Sequence, residues 1–400
     1  MKKNILLLIN GFGIEQSDSI NVYNEKLMPN MDRLTKEKLF VSLASKDLDY
    51  KDGYRKFSIG INESLTYSIV ENSIANGSYK TNQLLKYIES KTNIGENKLH
   101  IFCYWENDRT ISQLSTFLKE LVTYTNHMIY VHLILCQMSL TVYKSVERSL
   151  TLLNYELGNT VKIGMVTGEN NLNNILIFRD MIKTYVTEAG EKWKDLTKKV
   201  DVLKQTKTIP NRTRTFAVNT GFAINPGDQV LFFNYSNVDV NKFMDELVNQ
   251  KYRQIDTTKI DYYSLFPVKC NKKIPFMYNY AVSSTYALNA LKTIGAKCLV
   301  IDLKEKCPYI NYYLTGLRNN VDESLKYVAS DSGFIYEPNQ LLQVINNSNC
   351  ELVIVNYEID TCKLVDDIAT RLSKIDVVIG ELDKLVQENK ITLFISSLYG

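Results

Sequence analysis

Four oxygen-bearing side chains in this 400-residue chain stand where chemistry is usually done. Asn10 closes the apolar run Ile5–Ile9 and is followed by Gly11-Phe12-Gly13. Such a run reads as a buried strand handing one polar side chain to a glycine turn. In open α/β sheets, ligands bind outside the carboxyl ends of strands. Asp302 falls within KCLVIDL, and Glu358 and Asp360 close ELVIVNYEID, so both segments bring carboxylates to apolar runs. Together these groups suit magnesium, which accepts an all-oxygen shell and needs no histidine. Yet metal-dependent hydrolases want an aspartate at the end of such a first strand. Asn10 is an amide, which coordinates weakly and neutralises no charge.

Other metal and nucleophile chemistries are poorly supplied. The seven cysteines, Cys103, Cys136, Cys270, Cys298, Cys307, Cys350 and Cys362, include no C-x-x-C pair, and their number is odd. This argues against a zinc site or a disulfide framework and for reduced thiols in a cytoplasmic chain. The three histidines are His100, His127 and His132. His132, in IYVHLIL, and His100, in KLHIFCY, lie inside strand-like runs; for His132 a core histidine bonded to backbone is expected. His127 falls in the short turn TNHM.

Composition bounds the partners. With 45% hydrophobic and 23% charged residues the chain is an ordinary globular protein, long enough for two domains or more. A net charge of +3 gives no basic face for nucleic acid or an anionic membrane, and the aromatics are not interleaved with basic residues. No apolar stretch approaches the ~20 residues that span a bilayer, so no membrane insertion is expected. The opening MKKNILLLINGFG is too short in apolar residues for a signal peptide and reads as the first strand.

The elements that must position these groups alternate along the chain. Strand-like runs (FVSLAS, KLHIFCYW, MIYVHLILC, TVKIGMVTG, QVLFFNYS, KCLVIDL, CELVIVNYE, ITLFISSLYG) are separated by segments with helical spacing. The helical ones include MPNMDRLTKE, started by its proline, ISQLSTFLKELVTY, SVERSLTLLNYEL, VNKFMDELVN, STYALNALKTIG and DDIATRLSKIDVVIGELDKLVQE. Strands joined by single helices imply an α/β protein with mainly parallel sheets. The stretch 255–276, IDTTKIDYYSLFPVKCNKKIPF, lacks helical period and carries two prolines, and reads as a linker.

The order of these segments resembles the cofactor-independent phosphoglycerate mutases of the alkaline phosphatase superfamily. The similarity runs through the strand ending in NGFG, MPNMDRL, GINESLTYSI, ENSIANGSYKTNQLL, KLHIFCYWENDRT, MIYVHLILCQMS, KIGMVTGEN, VLFFNYSNVD, KEKCPYINYYLTG, ELVIVNYEID and TLFISSLYG. No single match is strong, but together they span nearly the whole chain in the family's order. The resemblance implies an alkaline-phosphatase-like α/β domain split between 1–75 and 276–400 and C-terminally truncated. A second, substrate-binding α/β domain over 76–275 would be inserted into it. In the family the first domain holds two manganese ions and a nucleophilic serine, and the second grips phosphoglycerate with arginines and a histidine.

At the family's site positions this chain departs from the pattern. The metal aspartate of the first strand falls on Asn10, and the nucleophilic serine on Asn62, with Ser64 two residues on. The aspartate–histidine pair near the end falls on Leu398 and Tyr399. The substrate arginines fall on Met138, Glu169, Ser236 and Asp239, and the substrate histidine on Ile111, near Arg109; Ser139 takes an aspartate's place. Only Glu63 and Lys306 match in type. All three histidines lie within 76–275, so a histidine-rich dimanganese centre cannot be assembled in the other domain. The vestigial positions are thus Asn10, Asn62, Glu63, Lys306, Leu398 and Tyr399. No catalytic residue, metal or cofactor is assigned.

The expectation is a pseudoenzyme acting as a structural or adaptor subunit of a multi-subunit protein assembly. One alternative is a residual binding or regulatory module for small phosphate esters, near Lys306, Arg109 and Asn10. Another is a divergent magnesium-dependent phosphatase or mutase using Asn10, Asp302, Glu358 and Asp360. The chain stops at what should be an interior strand, so exposed apolar surface is also expected, relieved by burial against a partner chain, self-association or a small rearranged domain.

Overall fold

The computed structural model describes residues 3–13, 25–41, 53–54, 57–58, 65–92, 97–125, 127–136, 148, 160–173, 175–235, 240–241, 243–244, 247, 256–268, 270, 272–279, 286–303, 310, 314, 325–330, 337–359 and 365–398. In chain order the elements are β1 (Lys3–Asn10), α1 (Pro29–Glu37), α2 (Leu65–Ala75), α3 (Gln83–Thr92), β2 (Leu99–Trp105), α4 (Asp108–Tyr124), β3 (Ile129–Leu135) and β4 (Val161–Gly168). There follow α5 (Ile175–Thr187), α6 (Leu196–Gln205), β5 (Phe216–Ala217), β6 (Gln229–Phe233) and β7 (Asp261–Ser264). The last are α7 (Ala287–Thr293), β8 (Cys298–Leu303), β9 (Leu325–Ser330), α8 (Pro338–Asn347), β10 (Leu352–Glu358), α9 (Val365–Gln387) and β11 (Ile391–Ser396).

Two compact units result, Met1–Ser64 with Val282–Gly400, and Leu65–Ala281. The boundaries differ from 75/76 and 275/276 for a packing reason. Tyr67 and Val70 of α2 lie in the same apolar core as β2 and β6, and Ser73 bonds Tyr278 at 2.8 Å.

The first unit carries a five-stranded sheet in the order β11-β1-β10-β8-β9, parallel throughout. Ile5, Leu7 and Ile9 of β1 face Val353, Val355, Ile375, Ile379 and Leu382 in one core. The helix pair α1–α9 is locked by a cap in trans. Met28, at the N-cap of α1, supplies no side-chain bond. The buried Asp376 of α9 accepts instead from the N–H groups of Asn30 at 3.1 Å and Met31 at 2.9 Å, and from Asn30 Nδ2 at 2.9 Å. One turn on, Arg33 pairs with the buried Asp383 at 2.6 Å. MPNMDRL is thus a helix-docking sequence here.

The second unit carries a six-stranded sheet, β5-β4-β3-β2-β6-β7, parallel except for β5. Every residue of β2 and β3 is buried, as expected of parallel strands covered on both faces. Two sequence expectations are corrected. The stretch 255–276 is no plain linker, because it contains β7, whose Tyr262 and Tyr263 enter the cores on opposite faces of the sheet. His132 bonds the ring of His100 rather than backbone. The helix expected over SVERSLTLLNYEL falls almost wholly outside the described residues. Only Phe40 and Val41 of the strand expected at FVSLAS are described, and both are exposed coil.

Candidate functional site

The carboxyl ends of β1, β10 and β8 lie side by side. Register pairs Leu8 with Asn356 and Val355 with Ile301. Because paired residues share a face and the period along a strand is two, Asn10, Asn356 and Asp302 all project from the sheet face opposite Ile9, Val355 and Ile301. All three are fully buried.

They form a hydrogen-bonded network with Tyr54. Asn10 Nδ2 donates to Asn356 Oδ1 at 2.6 Å and to Tyr54 Oη at 3.1 Å. Asn356 Nδ2 donates to Tyr54 Oη at 2.9 Å and to Asp302 Oδ2 at 3.0 Å. Asp302 Oδ1 accepts the Leu303 N–H at 2.7 Å, and Asn10 Oδ1 accepts the Leu398 N–H at 3.0 Å. The circuit fixes both amide orientations. Leu398 brings a donor, so Asn10 must turn its oxygen toward it; Asp302 only accepts when ionised, so Asn356 must turn its nitrogen there. Gly53 admits Tyr54, since a Cβ at Gly53 would lie 2.1 Å from the Leu398 carbonyl oxygen.

This donor set does not fit a two-manganese centre. Among the described residues its one carboxylate is Asp302, and its two amides direct N–H groups where an ion needs lone pairs. Among the described residues no group of three or more His, Cys, Asp or Glu is placed to hold a metal ion.

The structure thus brings together Asn10, Asp302 and, through its backbone, Leu398. Asn62, Glu63, Ser64, Lys306, Asp360, Tyr399 and the Glu358 side chain lie outside the described residues, as do Met138, Ser139, Ser236 and Asp239. Sequence reasoning missed Asn356 and Tyr54. Asn356 carries the same signal as Asn10, a lone amide in an apolar run. Tyr54 carries none.

At the carboxyl end of the second sheet the polar groups are phenols, amides and acids. Tyr67 Oη donates to the buried Glu106 at 2.8 Å and lies 2.9 Å from Thr110 Oγ1. Its ring stacks on Tyr235 at 3.9 Å, and Tyr235 Oη donates to Gln113. Burial holds the Tyr235 phenol well above its ordinary pKa, hence neutral and able to donate. Glu169 is buried, and Ile111 packs in the core. Arg109 is exposed, 3.8 Å from Glu71, and joins none of these groups in the bonds observed.

Comparison with known proteins bears on the scaffold. No family model matches the sequence, and no curated protein does. Among solved structures the chain is similar to a phosphoglycerate mutase of Leishmania mexicana, crystallised at low cobalt concentration, with a TM-score of 0.74. The fold is phosphoglycerate-mutase-like. The match covers 100% of this chain and 83% of that one at 14% identity. The mutase-like α/β architecture is therefore established, with its two mainly parallel sheets. No helix among the described residues is long and apolar enough to cross a membrane.

Proposed function

We propose that this chain is a non-catalytic, phosphoglycerate-mutase-like protein that serves as a structural or adaptor subunit of a larger cytoplasmic assembly. One observation carries the reading: the strand ends of the first unit are closed by Asn10, Asn356, Tyr54 and Asp302 bonded to one another. Two-metal phosphoryl transfer needs ions that clamp both the attacking and the leaving oxygen. The amide circuit uses for its own bonds the oxygens that would bind them.

Two measurements on the pure full-length protein test this. Mutase and phosphatase assays with manganese, magnesium and cobalt are expected to show no turnover; activity lost on Asp302→Ala would refute the proposal. Affinity purification of the native protein is expected to recover defined partner chains in fixed stoichiometry. Recovery of the chain alone would refute the adaptor role.

A further inference from the structure

The second unit contains a polar chain that the proposed function does not use. Asp228, in the turn before β6, His100 on β2 and His132 on β3 form a line of hydrogen bonds through the sheet. His100 Nε2 lies 3.2 Å from Asp228 Oδ2, and His100 Nδ1 lies 3.0 Å from His132 Nε2. Both rings are fully buried.

Proton positions follow from the partners. Asp228 accepts the backbone N–H of Lys98 at 2.8 Å and of Asn225 at 2.7 Å, with the Lys98 ammonium 3.8 Å away. A carboxylate in that role only accepts, so His100 carries its proton on Nε2. Its Nδ1 is then a lone pair and must receive the Nε2 proton of His132. This leaves His132 Nδ1 as a lone pair, buried and with no hydrogen-bond partner. The ring is packed between Phe102 at 4.7 Å, Tyr185 at 5.0 Å and Phe222 at 5.5 Å. Gly164 of β4 lies against its edge, where a Cβ would come within 2.8 Å of Nδ1.

We propose that the Asp228–His100–His132 chain is an acid-sensitive latch, which closes the second unit while both rings are neutral and opens it when protons are taken up. A proton arriving at His132 Nδ1 would find no acceptor among the groups packed against it, and an unpaired buried charge is among the least tolerated groups in a protein interior. Among the described residues the titratable and charged groups facing the rings are Lys98 just before β2, Asp228 beside β6, Tyr130 on β3 and Tyr185 on α5, with Tyr262 on β7 next to Tyr185 and Glu188 at the end of α5 next to Tyr130. Of these, only Asp228 favours a charged ring at close range, and its bond reaches His100, not His132. Burial first, then the neighbouring His100 and Lys98, hold His132 well below the ordinary imidazole pKa. For His100, burial outweighs the pull of Asp228.

The sign is fixed by those directions. The unfolded chain takes up both protons as pH falls through about 6.5, while the folded unit takes up neither until lower pH, so stability is lost on acidification. Two protons bound only by the unfolded form raise its equilibrium constant by at most about 10²-fold at pH 5.5 relative to pH 7.5. Both tryptophans, Trp105 and Trp193, belong to the second unit, so their fluorescence reads it directly. Urea titrations of the full chain at pH 7.5 and 5.5 are expected to show that loss. The double variant His100→Leu/His132→Phe is expected to show most of it removed. Should that variant not fold, NMR of histidine-labelled wild-type protein is expected to show both buried rings neutral at pH 5.5, each as the Nε2–H tautomer. A pH-independent urea midpoint, full pH dependence in the folded double variant, or either buried ring titrating near 6.5 in the native state would overturn the latch.

Discussion

Replacing Asn10 by aspartate restores the charge that a metal-binding first strand calls for, and the outcome separates a hydrogen-bonded network from a disguised metal site. Asn10 donates two bonds, to Asn356 Oδ1 and Tyr54 Oη. Asn10→Asp removes both and sets two oxygens against each other where 2.6 Å now separates nitrogen from oxygen. Asn356 Oδ1 loses the Asn10 donor, at about 1–3 kcal/mol, whereas Tyr54 Oη still accepts from Asn356 Nδ2, so the loss is about 2 kcal/mol before any carboxylate burial is counted. For a unit of this size, 1 kcal/mol moves Tm by about 2–4 °C, which gives a fall of about 4–8 °C.

The pH dependence adds a second check. A carboxyl introduced beside Asn356 at a fully buried position has its folded pKa raised above the unfolded value by desolvation. The deficit is therefore smallest in acid and grows as pH rises toward neutrality. Calorimetric melts of wild type and Asn10→Asp at pH 5 and 8, with and without manganese, give all the comparisons. In the hydrogen-bonded network manganese leaves wild type unchanged. A metal site in wild type would instead add about 2.7 kcal/mol at a concentration a hundredfold above Kd, and a Tm rise of several degrees with manganese would refute the reasoning. So would an Asn10→Asp protein as stable as wild type at pH 8.

Two further substitutions test the same unit. Asp376→Ala strips the trans cap from α1 and leaves the N–H groups of Asn30 and Met31 without their acceptor; a loss of about 2–4 kcal/mol is expected in denaturant unfolding. Gly53→Ala drives a Cβ to 2.1 Å from the Leu398 carbonyl oxygen, backbone that cannot turn aside. The segment bearing Tyr54 must then shift, and a Tm drop similar to that of Tyr54→Phe would show that the glycine acts through the phenol.

The strands were legible because parallel strands covered on both faces need continuous apolar runs, and LHIFCYW and IYVHLIL are such runs. DYYS escaped notice because its four residues begin with an exposed aspartate and send one tyrosine to each face, which leaves no period to read. The helices Ile175–Thr187, Leu196–Gln205 and Pro338–Asn347 were not read from the sequence, although Asp195 caps the second and Pro338 starts the third. At the candidate site, Asn10 could be found because it interrupts a run of aliphatic residues. Its partner Tyr54 could not: it arrives from a segment with no periodicity, and only the tertiary approach of Gly53 to Leu398 delivers it. The histidine pair was half legible. Both residues stood out as polar groups in apolar strands, but register pairs His100 with Tyr130 and Phe102 with His132, so their contact is a diagonal that no spacing reveals.

A metal centre and an amide circuit solve the same problem by opposite means. Three parallel strands ending together bring polar side chains into a space too dry to leave them unpaired. Carboxylates there repel one another until cations arrive, so such a fold ties its stability to an ion. Amides carry a donor and an acceptor on one group and complete each other with no ion at all. In this chain Asn10 and Asn356 bond each other beside the carboxylate of Asp302, whose oxygens are met by Asn356 Nδ2 and the Leu303 N–H. Tyr54 receives the remaining N–H of both amides. A unit built this way is expected to hold its strand ends whether or not divalent ions are present, which the melts with and without manganese check.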